Sequence, residues 1–197
     1  MNTPNKLTMF RIFLIPVIVL VYLIPTLGLN ITLPIYQVNG VNIGLVELVV
    51  VLLFMLASIT DFIDGYLARR DNLITTFGKF MDPIADKLLV NTLLILLTFN
   101  HQIPVLATII MIARDTIVDA VRFLAAQKQV VIAAGPLGKA KTFIQMFAII
   151  FVLLNNLPFE WINLPVSIVL IYLATLISFI SGFDYVYKNK DLILESI

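Results

Sequence analysis

Six apolar stretches, each long enough to cross a bilayer, recur along this chain near residues 7–29, 42–68, 80–99, 103–127, 141–157 and 161–187. A spanning helix needs about 20 mostly apolar residues, so the repetition constrains the fold more than any other feature. Composition agrees: 60% of the 197 residues are hydrophobic and 13% are charged, against roughly half and about a quarter in a soluble domain. The expectation is an all-α integral membrane protein with six transmembrane helices, forming a single membrane domain over residues 1–197. The first stretch follows Lys6 and Arg11 as a signal peptide would. Its apolar run ends only in the weak cleavage match Thr26-Leu-Gly28, so it is expected to stay as a helix.

Orientation follows from Lys and Arg, which collect in cytoplasmic segments. Eleven of the thirteen fall at one set of ends: Lys6, Arg11, Arg69, Arg70, Lys79, Arg122, Lys128, Lys139, Lys141, Lys188 and Lys190. The alternate loops, near 30–41, 100–102 and 156–160, contain none. Both termini and the 70–78 loop are therefore predicted to be cytoplasmic, in a multi-pass cell-membrane protein whose active site faces the cytoplasm. Residues 29–40 read as an outer loop, because turn formers and amides interrupt the apolar pattern. Trp161, Tyr185 and Tyr187 read as interfacial anchors, and His101 as a solvated loop residue. A net charge of +1 gives no electrostatic case for nucleic acid, and the absence of cysteine excludes disulfides and thiolate chemistry.

The chemistry is concentrated in Asp61-Phe-Ile-Asp64-Gly65-Tyr-Leu-Ala68-Arg69 and Gly78-Lys-Phe-Met-Asp82-Pro-Ile-Ala-Asp86. Spacing of three puts Asp61 and Asp64 on one helix face, and spacing of four does the same for Asp82 and Asp86. An antiparallel hairpin around 69–78 brings both acidic edges to similar depth, with Asp64 about 7.5 Å above Arg69. Four carboxylates just inside a membrane cost several kcal/mol unless water, protein or a counterion faces them. Such a set suits a hard divalent cation or a two-metal site, Mg2+ first and Mn2+ or Ca2+ next, and Mg2+ commonly brings a phosphate substrate with it. Gly65 and Gly78, with Ala68 nearly as small, open the backbone beside the acids to a ligand. Helix packing through small residues is the plain alternative.

Written as D-x-x-D-G-x-x-A-R-x8-G-x-x-x-D-x-x-x-D, this stretch resembles without departure the signature of the CDP-alcohol phosphotransferase family. Chance agreement at its eight fixed positions is on the order of one in a billion per start site. Outside it, Pro4-Asn5-Lys6-Leu7-Thr8 with Arg11, and Gly138-Lys139-Ala-Lys141-Thr142 with Gln145, resemble the bacterial branch that makes phosphatidylglycerophosphate. The resemblance implies that Asp61, Asp64 and Asp82 bind metal, as two ions, and that Asp86 also contacts it and acts as base. It implies further that Asp61, Asp64, Gly65, Ala68, Arg69 and Gly78 seat the CDP moiety. CDP-diacylglycerol and glycerol 3-phosphate are the implied substrates, within a homodimer surrounded by membrane lipids.

An acceptor phosphate needs cations of its own. Arg114 lies about 16 Å along its helix from Ile103, at a depth where an arginine is expensive unless it faces water or a partner. Arg122, Lys139 and Lys141 flank the next loop, with Thr8 and Arg11 as weaker candidates; Arg11 reads equally as a lipid-headgroup contact. Asp115 and Asp119 share a stripe with Arg122 and are expected to pair there rather than with Arg114. The competing readings are the same chemistry on inositol phosphate, serine or phosphatidylglycerol, an ion-coupled transporter, and a non-catalytic membrane assembly module. Inverted repeats would favour a transporter, and none is visible.

Overall fold

The computed structural model describes residues 2–27, 33–70, 75–130, 132 and 135–194. Six long helices carry the fold: α1 Thr3–Leu23, α2 Leu45–Arg70, α3 Thr76–Phe99, α4 Val105–Gln127, α5 Pro136–Leu153 and α6 Val166–Lys188, followed by the short α7 Lys190–Leu194. The described residues are mostly helical. The turn between α2 and α3 at 71–74 and residues 28–32 of the expected outer loop lie outside the described residues.

Among the described residues, four segments are long and apolar enough to cross a membrane: Pro4–Leu27, Leu45–Leu67, Pro136–Leu153 and Val166–Lys188. The other two long helices fall short for a definite reason. α3 carries Lys79, Asp82, Asp86 and Lys87, and α4 carries Arg114, Asp115, Asp119 and Arg122. Charge, not length, separates them from the rest, and these charges build the site described below.

α1 packs on α2 and α3, while α6 packs on α5 and α4. Ile18, Val50, Phe54, Leu93, Leu97, Met111, Ile149, Leu153 and Ile171 are fully buried between them. The outer surface is also apolar: Phe13, Leu20, Phe62, Leu106, Phe143 and Phe183 are all exposed. An apolar core inside an apolar exterior is what a lipid-facing bundle requires, since lipid removes the usual reason to face a helix with polar residues.

One all-α expectation needs amending. Ile35–Val38 (β1) and Val41–Gly44 (β2) form an antiparallel hairpin; β1 falls in the segment read as a loop, and β2 takes up the first residues of the stretch read as the second span, whose helix starts at Leu45. Asn39 and Gly40 both have positive φ, 47° and 88°, as a two-residue turn matched to strand twist demands. Asn155 donates to the Asn42 carbonyl at 2.7 Å and Tyr22 to Gln102 at 2.9 Å, so neutral amides tie this end of the bundle together. Glu160 accepts from Asn156 at this end as well, and the ion pairs gather at the opposite end.

Candidate active site

At that opposite end α1 presents Asn5, Thr8 and Arg11 along one side, spaced three residues apart. All three are buried against the acidic edges of α2 and α3. The Arg11 side chain is 0% exposed, with Nη1 2.5 Å from Asp61 Oδ1 and Nη2 donating to Asp64 Oδ2 at 2.6 Å. Thr8 Oγ1 donates to Asp82 Oδ1 at 2.5 Å, a charge-assisted bond. Thr75 caps α3 by accepting from Gly78 N at 3.0 Å, and its hydroxyl donates to Asn5 Oδ1 at 2.9 Å. A Cβ at Gly78 would stand 3.3 Å from both Asn5 Oδ1 and Thr75 Oγ1 and 3.6 Å from Asp82 Oδ2. Glycine is what lets this cap, α1 and Asp82 close together.

Asp61 and Asp82 lie close enough to Asp64 for their charges to act on it, and Asp61 acts likewise on Asp86. All four signature acids thus share one region with one guanidinium buried among them. Among the described residues no three acidic, histidine or cysteine side chains close around a common point; Arg11 stands between two of the acids. The donor set is nevertheless all carboxylate and hydroxyl oxygen carrying excess negative charge. A hard divalent cation fits it, and a soft thiophilic one does not. Gly65 lies on α2 one residue past Asp64; the side chains of Ala68, Arg69 and Lys79 lie outside the described residues.

Beside the acids, between α3, α4, α5 and α6, lies a cavity of about 470 Å³. Five cationic side chains line it (Lys87, Arg114, Arg122, Lys139 and Lys141) with only two anionic ones, Asp86 and Asp115. Arg114 Nε donates to Ser181 Oγ at 3.1 Å and Nη1 to Asp115 Oδ1 at 3.0 Å, while Lys141 Nζ donates to Asp115 Oδ2 at 2.6 Å. Two glycines make room for Arg114: a Cβ at Gly138 would stand 3.0 Å from its Nη2, and one at Gly182 would stand 3.1 Å from its Cγ. Arg122 Nε donates to Tyr185 OH at 3.3 Å. Lys87 pairs with Asp119 across the α3–α4 boundary.

Several expectations change here. Arg114, Arg122, Lys139 and Lys141 do meet in one cavity, but Thr8 and Arg11 are not among its walls and belong to the acid cluster instead. Asp115 pairs with Arg114 and Lys141, not with Arg122, and Asp119 pairs with Lys87. Stripe arguments see only one helix, whereas long cations on α3 and α5 reach across to α4. Tyr185, expected as a lipid-interface anchor, is turned inward onto Arg122. Thr75, Ser181 and Gly182 had no role in the sequence reading. Thr75 directly before a helix is a capping signal, but nothing local marks Ser181 or Gly182.

Named proteins are similar to this chain over nearly its whole length. A relative from Bacillus subtilis, named CDP-diacylglycerol–glycerol-3-phosphate 3-phosphatidyltransferase, is 39% identical over 99% of this chain and 98% of its own. Relatives of the same name from Rickettsia bellii, 38% identical over 93% of each chain, and Salmonella choleraesuis, 34% identical over 98% of each, agree with it along nearly their whole lengths. Residues 1–180, which hold the acid cluster and every wall of the cavity except Tyr185, match the CDP-alcohol phosphatidyltransferase family. With the signature acids gathered at one end of an apolar helical bundle, the chain belongs to the CDP-alcohol phosphatidyltransferase family.

Proposed function

We propose that this chain transfers the phosphatidyl group of CDP-diacylglycerol to glycerol 3-phosphate, giving phosphatidylglycerophosphate and CMP. The observation that carries the reading is the meeting of two compartments of opposite charge at Asp86, which lines the cationic cavity and lies within electrostatic reach of Asp61. The names of the relatives support the same substrates. In this reading Asp61, Asp64, Asp82 and Asp86 hold divalent metal, Mg2+ or else Mn2+, as two ions. When bound, the metal neutralises the diphosphate and makes CMP a better leaving group.

The chain's own residues do the remaining work. Asp61, Asp64, Gly65 and Gly78, with the α2 segment through Ala68 and Arg69, seat the CDP moiety. Arg114, Arg122, Lys139 and Lys141 take the acceptor phosphate, because planar guanidiniums and point-like ammoniums both suit phosphate oxygens. Asp86 accepts the proton of the attacking hydroxyl. That oxygen bonds to the phosphorus bearing diacylglycerol as the bond to the bridging diphosphate oxygen breaks, so no enzyme nucleophile is required. Positioning and charge supply most of the acceleration.

The reading includes six membrane spans with both termini and the site in the cytoplasm, supported by the Lys and Arg distribution. α3 and α4 would then cross the bilayer with their charges turned toward one another and the cavity. Single cysteines test it cleanly, since the chain has none: an impermeant reagent on intact cells should label a cysteine at Asn39 and spare one at Lys139. The reaction itself is tested by purified protein in detergent with CDP-diacylglycerol, Mg2+ and a panel of acceptors, following CMP release and the lipid product. Glycerol 3-phosphate should be the preferred acceptor; preference for inositol phosphate, serine or phosphatidylglycerol would replace it.

A further inference from the structure

The α5 helix presents Gly138, Lys141 and Gln145 along one stripe facing the cationic cavity. Gly138 gives Arg114 its space, and Lys141 joins the ion triad with Asp115. Gln145 makes neither kind of contact. Its side chain is 1% exposed, it lines the cavity, and its Nε2 donates to no protein group. Of the buried polar side-chain atoms that lack a partner among the described residues, this one alone belongs to a residue of the cavity wall. A buried amide donor left unpaired is costly, so a ligand oxygen is its natural partner.

Gln145 lies about 6 Å further along α5 than Lys141, the last cation on that helix. A phosphate held by Arg114 and Lys141 therefore leaves the amide facing the uncharged part of the acceptor. We infer that Gln145 is a specificity-determining residue whose amide binds the free secondary hydroxyl of a phosphorylated polyol, the hydroxyl that does not attack. An amide suits this task because it can donate to the hydroxyl oxygen and accept its proton at once. A site built to pair a hydroxyl discriminates against the analogue lacking it, since its own polar group is then left bare. This inference rests on the acceptor reading above.

The test compares glycerol 3-phosphate with 3-hydroxypropyl phosphate, which keeps the phosphate and the attacking hydroxyl and lacks the secondary one. The wild-type protein should favour glycerol 3-phosphate by about tenfold or more in kcat/KM. In Gln145→Leu that preference should collapse toward unity, through loss on glycerol 3-phosphate with little change on the analogue, and Gln145→Asn should restore part of it. A structural role for Gln145 would lower both acceptors by the same factor and leave their ratio intact, and that result would overturn the inference. So would a wild-type protein that does not distinguish the two acceptors. Wild-type protein inert with both, yet releasing CMP to another acceptor, would instead remove the acceptor reading and the inference with it.

Discussion

The acid cluster and the cationic cavity are neighbours at one end of the bundle, yet they are made in opposite ways. The first gathers four carboxylates from α2 and α3 around a single buried guanidinium, Arg11. The second gathers five cations from α3, α4 and α5 around two carboxylates. Each region is short of one sign of charge within the protein. An incomplete ion balance at a buried site is expensive unless a ligand completes it, so the two imbalances together describe the ligand: cations toward the acids, phosphate toward the bases. They should also fail differently. Damage to the acids should stop turnover with any acceptor, and damage to the cavity should appear as weakened use of one acceptor.

The strongest break comes from the acids. Asp61→Asn, Asp64→Asn and Asp82→Asn should each lower CMP release by more than about a thousandfold, because losing a metal ligand removes several kcal/mol of transition-state stabilisation. Detergent-solubilised variants should still elute as the parent does, and excess EDTA should silence the parent likewise. Near-parental rates in all three variants would move the reaction away from these residues.

Next in size is Arg11, whose loss should be felt in stability before activity. Arg11→Ala leaves Asp64 buried and unpaired beside a partly open Asp61. The cost should be about 3 kcal/mol in the metal-free protein, at the low end for a broken buried pair because Asp61 is 43% exposed. Mg2+ should recover much of the lost thermal stability in Arg11→Ala and add less to the parent, since ion and guanidinium serve the same carboxylates. Equal Mg2+ responses in the two proteins would mean that the guanidinium and the cation do not share a site.

How the two regions are encoded explains what could be read from sequence. The acids lie within one continuous stretch, 61–86, on two consecutive helices, so helical periodicity puts each pair on one face and closeness in sequence suggests that the two faces meet. Their counterion could not be found that way: Arg11 sits fifty residues earlier on another helix, and nothing around it encodes that it packs on α2. The cavity is assembled from separate helices, and its cations were visible only as costly or clustered charges. Their partners were not. Arg114 was expected to avoid Asp115 because adjacent residues point apart, yet a long guanidinium folds back to a carboxylate that Lys141 has already drawn inward. Charge also explains why α3 and α4 are less apolar than a six-span pattern suggests. The hairpin was within reach, since Asn39-Gly40 between two short apolar runs is a strong turn signal.

Arg114 sharpens the contrast from the other side. Arg114→Ala should lower kcat/KM for glycerol 3-phosphate about 10-fold to 150-fold, the value of a charge-assisted contact of roughly 1.5 to 3 kcal/mol, while CDP-diacylglycerol binding stays near that of the parent. Arg114→Lys should recover only part, because an ammonium keeps the charge and loses the planar fork. Should Arg114→Ala instead lower thermal stability and leave the acceptor dependence alone, Arg114 serves the Asp115 ion triad, and the phosphate contact falls to Lys139, Lys141 or Arg122.

The smallest effect tests where the boundary between the two regions runs. Thr8 is buried on α1 and its hydroxyl has one proton to give; Asp82 Oδ1 at 2.5 Å is a closer and more strongly charged acceptor than the Pro4 carbonyl at 3.2 Å. Thr8→Val keeps the shape and removes the donor, leaving Asp82 to be held by its own rotamer and by whatever cation it binds. A loss of about 1 kcal/mol, roughly fivefold in kcat/KM, is expected. Because Thr8 is not a wall of the cationic cavity, the loss should be the same for glycerol 3-phosphate and for 3-hydroxypropyl phosphate, with the acceptor KM unchanged, and Thr8→Ser should restore it. Steady-state kinetics at saturating CDP-diacylglycerol read this directly. A selective rise in the glycerol 3-phosphate KM would put Thr8 in contact with the acceptor, and the division between an acid side that does chemistry and a basic side that chooses the acceptor would have to be redrawn through α1.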